Sequence, residues 1–420
     1  MDDLWVVLPH LGAGGAQKVG LMAAGHFASQ GLRVRVVTLK HGHPLTHPLP
    51  LGVGYLDVGP DPMTDISDRS LAARGRRFTL AQVRKVRRWL IQGLLWGLWP
   101  WVAKGAWPGE KGLPLRLLHA GMGRIGGYPL QRLRVLMATE RPRRVLALLT
   151  RTNILCCNAA WDLPIHLVVS ERNDPRLQQL RGLWPRLRQV HYRRADVVTA
   201  NTEGVLSALR GMGRWQRLEL LPNPLAEGIA PRAMGGGVQR EPELLAVARL
   251  VHQKGLDLLI QAFGRLRDPA VGAWRLVLVG DGPERKSLEA LALREGVADR
   301  VVFEGFQPNP SSYLAQASIF VLPSRFEGMP NALLEAMAAG LPVIVSDASP
   351  GPLEMVEPGV HGLVVPSDNV DALAAALARL MADPALRQQL GEAGQARLQS
   401  LEWPQVESLW RSVLALPEAP

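Results

Sequence analysis

Two glutamates at a fixed spacing carry the clearest chemical signal in the chain. Glu327 and Glu335 stand at the two ends of E-G-M-P-N-A-L-L-E, with seven residues between them. Apolar residues 319–322 come before this segment and residues 331–339 are rich in Ala, Leu and Met, so the pattern predicts a strand, a loop and a helix capped by Asn331. The two carboxylates then border one crevice and accept hydrogen bonds from a polyhydroxylated ligand. Alternatively, Glu335 caps or salt-bridges its own helix and Glu327 is solvated.

Two cations lie in an earlier turn. Arg249 and Lys254 belong to A-R-L-V-H-Q-K-G-L-D, directly after residues 243–248, which have the apolar pattern of a buried strand. Cations in a strand-to-helix turn form an anion site, because the helix N-terminus adds its N–H groups and its dipole. The arrangement favours a diphosphate as the ligand. The alternative is that both side chains are solvated surface charges.

Two further strand ends in the same half of the chain are candidates for ligand contact. Residues 274–279 end in G-D-G-P-E-R, where Gly280 allows a tight turn before a helix. The segment V-x-F-x-G-F ends at Phe306 and is followed by Gln307. The glycine turn alone is a weak signal, because any doubly wound fold needs such turns.

The start of the chain has a glycine loop of its own. Residues 4–8 predict a strand, which leads through a loop with Gly14 and Gly15 into a helix. The loop lacks the G-x-G-x-x-G spacing, and the following R-V-R-V-V-T-L-K offers no acidic ribose partner. These two facts exclude a nicotinamide-dependent oxidoreductase.

The order of the segments in the second half resembles the retaining glycosyltransferases of family 4. The similarity rests on A-R-L…Q-K-G, V-L-V-G-D-G-P, V-x-F-x-G-F and P-S-x-x-E-G-x-x-x-x-x-x-E-A-M-A-A-G-L-P-V-I, and it covers residues 244–366 almost without a gap. The first half is similar through L-P-H-L-G-A-G-G-A-Q-K, T-R-T-N-I-L, S-E-R-N-D-P and L-P-N-P, more loosely and with an unusual insertion. The resemblance implies an α/β protein of GT-B fold: two Rossmann-like domains that face a central cleft, with a C-terminal helix that crosses back to the first domain.

The resemblance also implies roles for the candidate residues. Arg249 and Lys254 are expected to stabilise the departing diphosphate, Glu327 to contact donor-sugar hydroxyls and Glu335 to contact the ribose. The remaining expected donor contacts are the backbone along the sugar and phosphates at Gly328, Met329, Pro330 and Asn331, the nucleobase wall at Phe306 and Gln307, and the glycine turns at Gly280, Gly14 and Gly15. Gly14 and Gly15 are expected to let the backbone approach either the donor diphosphate or the acceptor.

One departure from the family pattern lies in the first half. Many members have a histidine after the strand that here ends at Ser170, and this chain has Glu171, Arg172 and Asn173 instead. These residues are the candidates for polar contacts at the anomeric carbon. Whether Glu171 takes part in chemistry or only pairs with Arg172 stays open at this point.

Length and composition predict two domains, since the 420 residues are 47% hydrophobic and supply two cores. The only cysteines, Cys156 and Cys157, are adjacent and rarely bridge, which suits a reducing cytoplasm. The acidic start M-D-D-L argues against a signal peptide. The predicted ranges are 1–225 for an acceptor-side Rossmann-like domain with a basic, Trp-rich insertion at about 57–124, 226–242 for a hinge linker, 243–399 for a nucleotide-sugar-binding Rossmann-like domain, and 400–420 for a C-terminal crossover helix interrupted at Trp403-Pro404.

The insertion concentrates positive charge and tryptophan. The net charge of the chain is +11, and residues 69–104 hold nine cations and no acid, with five tryptophans between 89 and 107. Such a mixture favours an anionic membrane surface, and apolar residues 89–103 are too few to cross a bilayer, so residues 69–107 are predicted to lie on it. The alternative is a buried helical hairpin with a solvated basic flank. No pattern typical of nucleic-acid binding is present.

The sequence therefore predicts transfer of a sugar, with retention, from a nucleotide diphosphate sugar to a hydroxyl of a glycan or lipid-linked saccharide. A UDP-sugar is preferred as donor, and the expected place is the cytoplasmic face of the membrane, in surface polysaccharide or lipopolysaccharide synthesis. No cofactor and no metal are expected, because two cations replace the metal and no D-x-D pair is evident. Two alternatives remain: a nucleotide-sugar epimerase of GT-B fold, and a non-catalytic nucleotide-sugar-binding partner.

Overall fold

The computed structural model describes residues 1–43, 46–59, 86, 90, 92–109, 111–178, 180–225, 240–266 and 273–418. The chain divides into two compact units. Unit 1 consists of Met1–Ala200, Leu206–Leu221 and Leu409–Pro420, and unit 2 of Asn201–Val205 and Pro222–Ser408. Most of the predicted hinge, residues 226–239, lies outside the described residues.

A parallel sheet forms the centre of unit 1. In the described part of the chain it has seven strands in the order β3-β2-β1-β4-β5-β6-β7, and each neighbouring pair is parallel. The inner strands are apolar and almost fully buried, as expected for strands covered on both faces. The strand bounds are β1 Leu4–Leu8, β2 Val34–Thr38, β3 Gly54–Asp57, β4 Arg144–Leu148, β5 His166–Glu171, β6 Val197–Ala200 and β7 Leu218–Leu220.

Helices connect these strands and cover the sheet. α1 joins β1 to β2, and α5 joins β4 to β5, so both connections are the crossovers that parallel pairing requires. Residues 92–97 are also helical. The helix bounds are α1 Gly15–Ser29, α2 Trp99–Gly105, α3 Leu113–Ile125, α4 Gly127–Glu140, α5 Thr150–Ala159, α6 Trp184–His191 and α7 Glu203–Arg210, with a 3₁₀ turn at Tyr192–Arg194.

Unit 2 is built on a second parallel sheet. It has six strands in the order β10-β9-β8-β11-β12-β13 within the residues that the structure describes. Successive residues of one strand enter different cores: Ile319 and Val321 pack in one apolar cluster, Phe320 and Leu322 in another. The strand bounds are β8 Glu243–Val247, β9 Arg275–Val279, β10 Val301–Gly305, β11 Ile319–Leu322, β12 Val343–Ser346 and β13 Leu363–Val365.

The helices of unit 2 alternate with its strands along the chain. Two of them have side-chain caps, since Asn369 accepts from the N–H of Ala372 and Asp383 from that of Leu386. The helix bounds are α8 Leu256–Gly264, α9 Arg285–Arg294, α10 Ser311–Gln316, α11 Asn331–Ala338, α12 Pro350–Met355, α13 Val370–Ala382, α14 Pro384–Arg397 and α15 Trp403–Leu414, with 3₁₀ turns at His252–Lys254 and Leu398–Leu401.

The end of the chain returns to unit 1. The helix that the sequence predicted to be interrupted at Trp403-Pro404 instead begins there, because proline is well tolerated in the first turn of a helix. Its end packs on strands of unit 1: the His166 ring contacts the carbonyl of Val413 at 2.9 Å, and Arg144 donates to the carbonyl of Ala415 at 2.7 Å.

The predicted α/β class with two parallel-sheet, Rossmann-like domains is confirmed. In unit 2 the strand order reverses between β8 and β11, which are hydrogen-bonded neighbours. Loops that leave the carboxyl ends of two such strands diverge and leave a crevice, the usual ligand site of an open α/β sheet. The sequence motifs with Lys254 and Glu327 follow these two strands.

Candidate active site

The loop between β11 and α11 carries the first predicted glutamate. β11 is buried throughout, and it is followed by Pro323, whose missing N–H cannot continue a sheet ladder. The predicted helix cap is displaced by one position: Pro330 takes the extended backbone of the cap, and Asn331 is the first helical residue. The side-chain oxygen of Asn331 instead accepts a hydrogen bond from Asn223.

Glu327 is buried and held by three side chains. Its carboxylate oxygen Oε1 accepts from the Ser324 hydroxyl at 2.7 Å and also from the Lys254 ammonium. Its backbone N–H donates to the Ser349 hydroxyl at 2.8 Å. Glu327 is 6% exposed, so the alternative of a solvated glutamate is excluded. The structure therefore brings together one predicted cation and one predicted sugar-contacting acid.

The turn that carries Lys254 packs closely against the loop that carries Glu327, and this contact forms the ion pair. The 3₁₀ turn with Lys254 ends at Gly255, whose φ of 63° favours glycine, and a Cβ there would lie 2.1 Å from the Pro323 carbonyl oxygen. The Gln253 side chain donates to the carbonyl of Phe326 at 2.9 Å, and the N–H of Arg325 donates to the carbonyl of Gln253 at 2.8 Å. This close approach fixes the position of Lys254 relative to the glutamate loop.

Arg325, two residues before Glu327, anchors the same loop. Its guanidinium donates to both carboxylate oxygens of Asp257 at 2.8 Å, to Asp368 at 2.8 Å and to the carbonyl of His252 at 2.8 Å. Burial raises the pKa of Asp257, but the hydrogen bonds and charge of Arg325 outweigh burial and hold that pKa below its ordinary value. Arg325 thus ties the glutamate loop to the start of α8.

The other two predicted contacts of this set occupy the same edge of the sheet. Arg249 follows β8 and its side chain is exposed. Glu335 lies one turn into α11 and is 7% exposed, so it too is not solvated. β8 and β11 are neighbours in a parallel sheet, and therefore both residues belong to its carboxyl edge.

The glycine turn after β9 is tightly built. Gly280 has a φ of 147°, and a Cβ there would lie 1.8 Å from the carbonyl oxygen of Ala248. The N–H of Gly280 donates to the carbonyl of Gly305 at 2.8 Å, which ties the end of β9 to the end of β10. Phe306 and Gln307 follow at this edge and are half-buried. Any larger residue at position 280 would displace Ala248, at the start of the loop that follows β8.

The glycine loop of unit 1 lies between β1 and α1. Gly14 has an extended backbone with φ 170°, which any residue adopts, so conformation does not require glycine there. A Cβ there would lie 2.2 Å from the side-chain oxygen of Gln17, which is the far end of a flexible side chain and can move, so space does not strictly require glycine either. Gly15 is the first residue of α1 and is exposed. The loop therefore presents backbone at the carboxyl edge of the first sheet.

Glu171, at the end of β5, is fully buried in a network of side chains. Its carboxylate accepts from the Tyr192 hydroxyl at 2.5 Å, from the Thr150 hydroxyl at 2.9 Å and from Gln178 at 3.4 Å, and it lies 3.7 Å from the Arg188 guanidinium. Burial raises the pKa of the Glu171 carboxyl above its ordinary value, although the charge of Arg188 and these hydrogen bonds act to lower it. The structure thus gives Glu171 the environment of a structural acid.

The next residues follow the same strand end. Arg172 is 6% exposed and donates to the Ser170 hydroxyl at 3.3 Å, and burial lowers its pKa to about 9. Asn173 is half-buried. The structure adds a pair that the sequence did not single out: the rings of His10 and His43 stack at 4.1 Å after β1 and β2. A histidine in each loop was visible in the sequence, but nothing in the spacing indicated contact.

The described residues of the predicted membrane-binding region form a two-sided helical segment. One side is buried, through Leu95, Trp99 and Val102. The other leaves Leu94 58% and Trp101 45% exposed. Residues 69–85, 87–89 and 91 of the predicted surface lie outside the described part. The described part is thus neither a wholly buried hairpin nor a wholly exposed helix.

Cation–π contacts fix two of the tryptophans in this region. The Arg186 guanidinium lies 3.5 Å from the Trp96 ring centre, and that of Arg193 lies 4.1 Å from the Trp107 ring centre. Within the described residues, no helix has the length and apolar character that crossing a bilayer demands. The same part of the chain contains no cluster of three His, Cys, Asp or Glu side chains suited to a metal ion.

Comparison with known proteins adds a family to this geometry. Residues 235–397, which include the glutamate loop and both cations, match the family described as Glycosyl transferases group 1. Solved structures of similar fold include Anabaena Alr3699/HepE in complex with UDP and glucose, with a TM-score of 0.73 and 17% identity over 99% of this chain and 100% of that one. The second part of the chain is therefore similar to this family, and the likeness to the solved structure shows a shared two-domain fold.

Three curated proteins show what the similar sequences are. The chain is 35% identical over 248 residues to the exopolysaccharide phosphotransferase SCO2592 of Streptomyces coelicolor, covering 58% of this chain and 26% of that protein. It is 34% identical over 211 residues to the lipopolysaccharide core biosynthesis glycosyltransferase LpsE of Rhizobium meliloti, covering 50% and 60%. It is 28% identical over 229 residues to the N-acetylgalactosamine-N,N'-diacetylbacillosaminyl-diphospho-undecaprenol 4-alpha-N-acetylgalactosaminyltransferase of Campylobacter jejuni, covering 53% and 62%. The chain thus spans between 26% and 62% of these relatives.

Proposed function

We propose that the protein is a retaining glycosyltransferase of family 4 that moves a hexose or N-acetylhexosamine from a nucleotide diphosphate sugar to a hydroxyl group of a saccharide acceptor. The single observation that carries this proposal is the buried contact between Lys254 and Glu327 at the carboxyl edge of the unit 2 sheet. One cation for the diphosphate and one acid for the sugar are there held in direct contact, so a ligand bound by both has its glycosyl–phosphate bond beside them.

The proposed chemistry uses each member of the pair differently. When the glycosyl–phosphate bond breaks, negative charge grows on the leaving diphosphate and positive charge on the sugar ring. Lys254 has three N–H donors, of which one bonds to Glu327, and the others are available to phosphate oxygens. Arg249 adds a second cation. Because the charge that they stabilise grows in the transition state, both cations raise the rate as well as the affinity.

The acids orient the donor. Glu327 retains acceptor capacity at its second carboxylate oxygen and receives sugar hydroxyls there, while Glu335 receives the ribose hydroxyls. Phe306, Gln307 and Gly280 line the nucleoside side in this proposal, and the backbone of residues 328–331 runs along the sugar and phosphates. Two cations supply the charge that a divalent metal supplies in other transferases, so the proposed reaction uses no metal and no cofactor.

A UDP-sugar is the proposed donor class, supported by the similar fold of a protein solved with UDP and glucose. Unit 1 is the proposed acceptor side, where Gly14, Gly15, Arg172 and Asn173 present backbone and polar groups at the carboxyl edge of its sheet. Glu171 is placed among the supporting residues rather than the reacting ones, because four side chains already surround its carboxylate.

We further propose a lipid-linked or surface glycan as the acceptor, in lipopolysaccharide or exopolysaccharide synthesis at the cytoplasmic face of a membrane. Two observations support this step. Relatives include a protein named for lipopolysaccharide core biosynthesis and one named for a diphospho-undecaprenol substrate. In this chain, Leu94 and Trp101 are exposed, and both belong to the sequence region 69–104, which has nine cations and no acid.

The proposed activity is tested by supplying a panel of UDP-sugars with and without a lipid-linked saccharide acceptor extracted from membranes. The expected result is sugar transfer that requires the acceptor and yields the α-anomer from an α-linked donor. Formation of a new UDP-sugar without acceptor identifies an epimerase instead. Binding of UDP-sugars without any turnover in the presence of acceptors identifies a binding partner.

A further inference from the structure

A buried asparagine far from the glutamate loop in sequence reaches its backbone. Asn223 lies in Pro222-Asn223-Pro224, at the point where the chain enters unit 2. It is 2% exposed. Its side-chain amide donates to the carbonyl of Met329 at 3.1 Å and also to the side-chain oxygen of Asn331. The amide therefore bonds to two residues that lie between Glu327 and Glu335.

Asn223 provides a hydrogen-bond donor to the backbone carbonyl of Met329. The Met329 carbonyl precedes Pro330, so this peptide has no N–H of its own to join a ladder or a turn. A buried carbonyl without a hydrogen-bond partner is costly, and Asn223 supplies that partner. The backbone N–H of Asn223 also approaches the Met329 sulfur at 3.2 Å. Asn223 thus contacts both the backbone and the side chain of Met329.

The first half of the loop, at Glu327 and Gly328, is held by close packing and by a serine hydroxyl. A Cβ at Gly351 would lie 1.6 Å from the carbonyl oxygen of Gly328, and Ser349 accepts from the N–H of Glu327. Gly328 and Glu327 are therefore held from the α12 side, while Met329 and Asn331 are held from Asn223. Removing the Asn223 amide takes away the hydrogen bonds to Met329 and Asn331 and leaves the contacts of the first half in place.

We propose that Asn223 is a positioning residue that holds the 329–331 segment in register for the sugar of the donor, and that it does so as a two-hydrogen donor. This inference rests on the proposed function, which places that segment along the sugar and phosphates. The amide is specifically required, because an aspartate at 223 directs lone pairs at the Met329 carbonyl and the Asn331 side-chain oxygen, both of which are acceptors in this arrangement.

The nucleotide and the sugar should respond differently to a change at Asn223. The cations that bind the diphosphate and the acid that binds the ribose are outside the 329–331 segment. UDP alone keeps these charged contacts and is therefore expected to bind almost normally, although the segment also runs along the phosphates. The difference in affinity between a UDP-sugar and UDP measures the contacts that the loop makes with the sugar. That added affinity is expected to disappear when the loop loses its two hydrogen bonds.

The experiment compares dissociation constants of UDP and of UDP-glucose, UDP-galactose and UDP-N-acetylglucosamine by calorimetry, using the sugar that the wild type binds best. For Asn223→Asp we expect UDP affinity within about twofold of the wild type and a loss of about ten- to a hundredfold in UDP-sugar affinity, the range for a lost buried hydrogen-bonding pair. Equal losses for UDP and UDP-sugar, or no loss for either, would overturn the positioning role.

A matched control separates positioning from general stability. Asn369 caps α13 in the same unit by accepting from the N–H of Ala372 at 2.9 Å. Asn369→Ala removes a structural asparagine and is expected to lower the melting temperature with no change in the UDP-sugar to UDP affinity ratio. If Asn369→Ala changes the ratio as much as the Asn223 variant, the effect is one of stability and the proposal is wrong.

A second variant covers the case in which Asn223→Asp does not fold. Asn223→Ser keeps one donor, and a partial fall of the affinity ratio supports the proposal, whereas an unchanged ratio overturns it. Failure of the wild type to bind any UDP-sugar of the panel would count against the proposed function and not against the contact itself. In that case the loop contact is tested by limited proteolysis of Asn223→Ser at residues 326–331, which the lost contact should accelerate.

Discussion

Lys254 and Glu327 form a direct ion pair although they are 73 positions apart in sequence. Both side chains are largely covered, at 16% and 6% exposure. A buried charge is costly without its partner, so each residue makes the other tolerable at this place. The pair therefore acts as one unit: changes at either position alter folding as well as the proposed chemistry, and the two effects must be measured separately.

Lys254→Ala is expected to lose about 10²–10³-fold in kcat, the cost of removing one group that stabilises transition-state charge. It should also be less stable, because Glu327 is then a buried acid without its cation. Adding Glu327→Gln removes the stranded charge, so the double variant should recover melting temperature but not activity. Initial rates and thermal unfolding of the single and double variants measure both effects.

The control for this prediction is Lys286→Ala, at an exposed lysine on α9 of the same unit. It should change neither rate nor stability appreciably. Near-normal sugar transfer by Lys254→Ala in a folded protein would remove the diphosphate assignment. A double variant no more stable than Lys254→Ala would show that the ion pair does not determine the folding of this loop.

Arg325→Ala should lower the free energy of unfolding by about 1.5–3 kcal/mol, the range for hydrogen bonds to charged groups. It also changes the response to acid. Arg325 holds the pKa of Asp257 below its ordinary value, so this interaction stabilises the fold above that ordinary value and is lost as pH falls through the lowered pKa. Denaturant unfolding at pH 6 and pH 3 should show a smaller loss in Arg325→Ala than in the wild type.

Arg210→Ala is a comparison arginine, since Arg210 lies in the last turn of α7 and is exposed. It should follow the acid response of the wild type. If Arg325→Ala and the wild type lose equal stability between the two pH values, the pairing with Asp257 does not contribute in solution.

The sequence predicted the two sheets well, because parallel strands buried on both faces are short apolar runs with clear ends. β1 and β11 have the predicted bounds, and the strands predicted at 243–248 and 274–279 each differ by one residue at one end. The loop with Glu327 and the turn with Lys254 were also correctly placed at the carboxyl ends of strands, since each follows directly from the strand before it.

What the sequence could not predict are contacts between distant segments. Ser349 lies 22 positions after its partner Glu327, and Asn223 lies 106 positions before its partner Met329. No helical or strand periodicity in the sequence connects residues so far apart. The same holds for Glu171, whose burial depends on Tyr192 and Arg188 arriving from a later helix and turn. Loop-to-loop distances depend on how the whole sheet twists, which residue spacing does not encode.

Glu171→Gln tests whether that acid is structural. We expect kcat within about tenfold of the wild type, far from the loss seen when a reacting acid is removed. Stability should fall by about 1–3 kcal/mol, because the new amide keeps only one acceptor oxygen. Its NH2 group then faces donors at the other position, either Tyr192 or the pair Thr150 and Gln178. A loss of kcat beyond a thousandfold in folded protein would instead make Glu171 a reacting group.

The pH dependence of this variant has the opposite sign from that of Arg325→Ala. Burial raises the pKa of Glu171, so the wild type loses stability as pH rises from the ordinary glutamate value through the raised pKa. Glutamine has no such loss. The stability difference between wild type and Glu171→Gln should therefore be larger at pH 4.5 than at pH 7, as measured by urea unfolding. Equal differences at both pH values would contradict the raised pKa.

Metal removal should leave the proposed reaction unchanged, because the two cations are assigned the charge of a metal. The measurement is the initial rate after dialysis against EDTA, compared with the rate after adding back Mg²⁺ or Mn²⁺. The rates before and after chelation are expected to agree within about twofold. Loss of a Lewis-acid metal, which contributes several kcal/mol of transition-state stabilisation, would lower the rate far more. A rate that collapses on chelation and returns with Mg²⁺ would assign the diphosphate to a metal instead of to Arg249 and Lys254.

The exposed side of the helical segment at residues 92–105 should bind anionic membranes. Leu94 and Trp101 offer apolar contact, and each nearby cation of the 69–104 region adds on the order of 1 kcal/mol of attraction to anionic lipid. Liposomes with phosphatidylglycerol should sediment the wild type at low salt and release most of it at about 1 M salt, where the screening length falls to about 3 Å. Neutral liposomes should retain little.

The apolar part of this surface is tested with Leu94→Ser/Trp101→Ser, which should weaken sedimentation at every salt concentration without lowering the melting temperature, since both side chains are exposed. Leu293→Ser is the matched control: Leu293 is 70% exposed on α9 of unit 2, outside the basic region, and its loss should not alter sedimentation. Equal sedimentation of all three proteins would leave only the basic residues as the membrane contact. Binding that ignores both salt and lipid charge would contradict the proposed surface, because its cations would then contribute nothing.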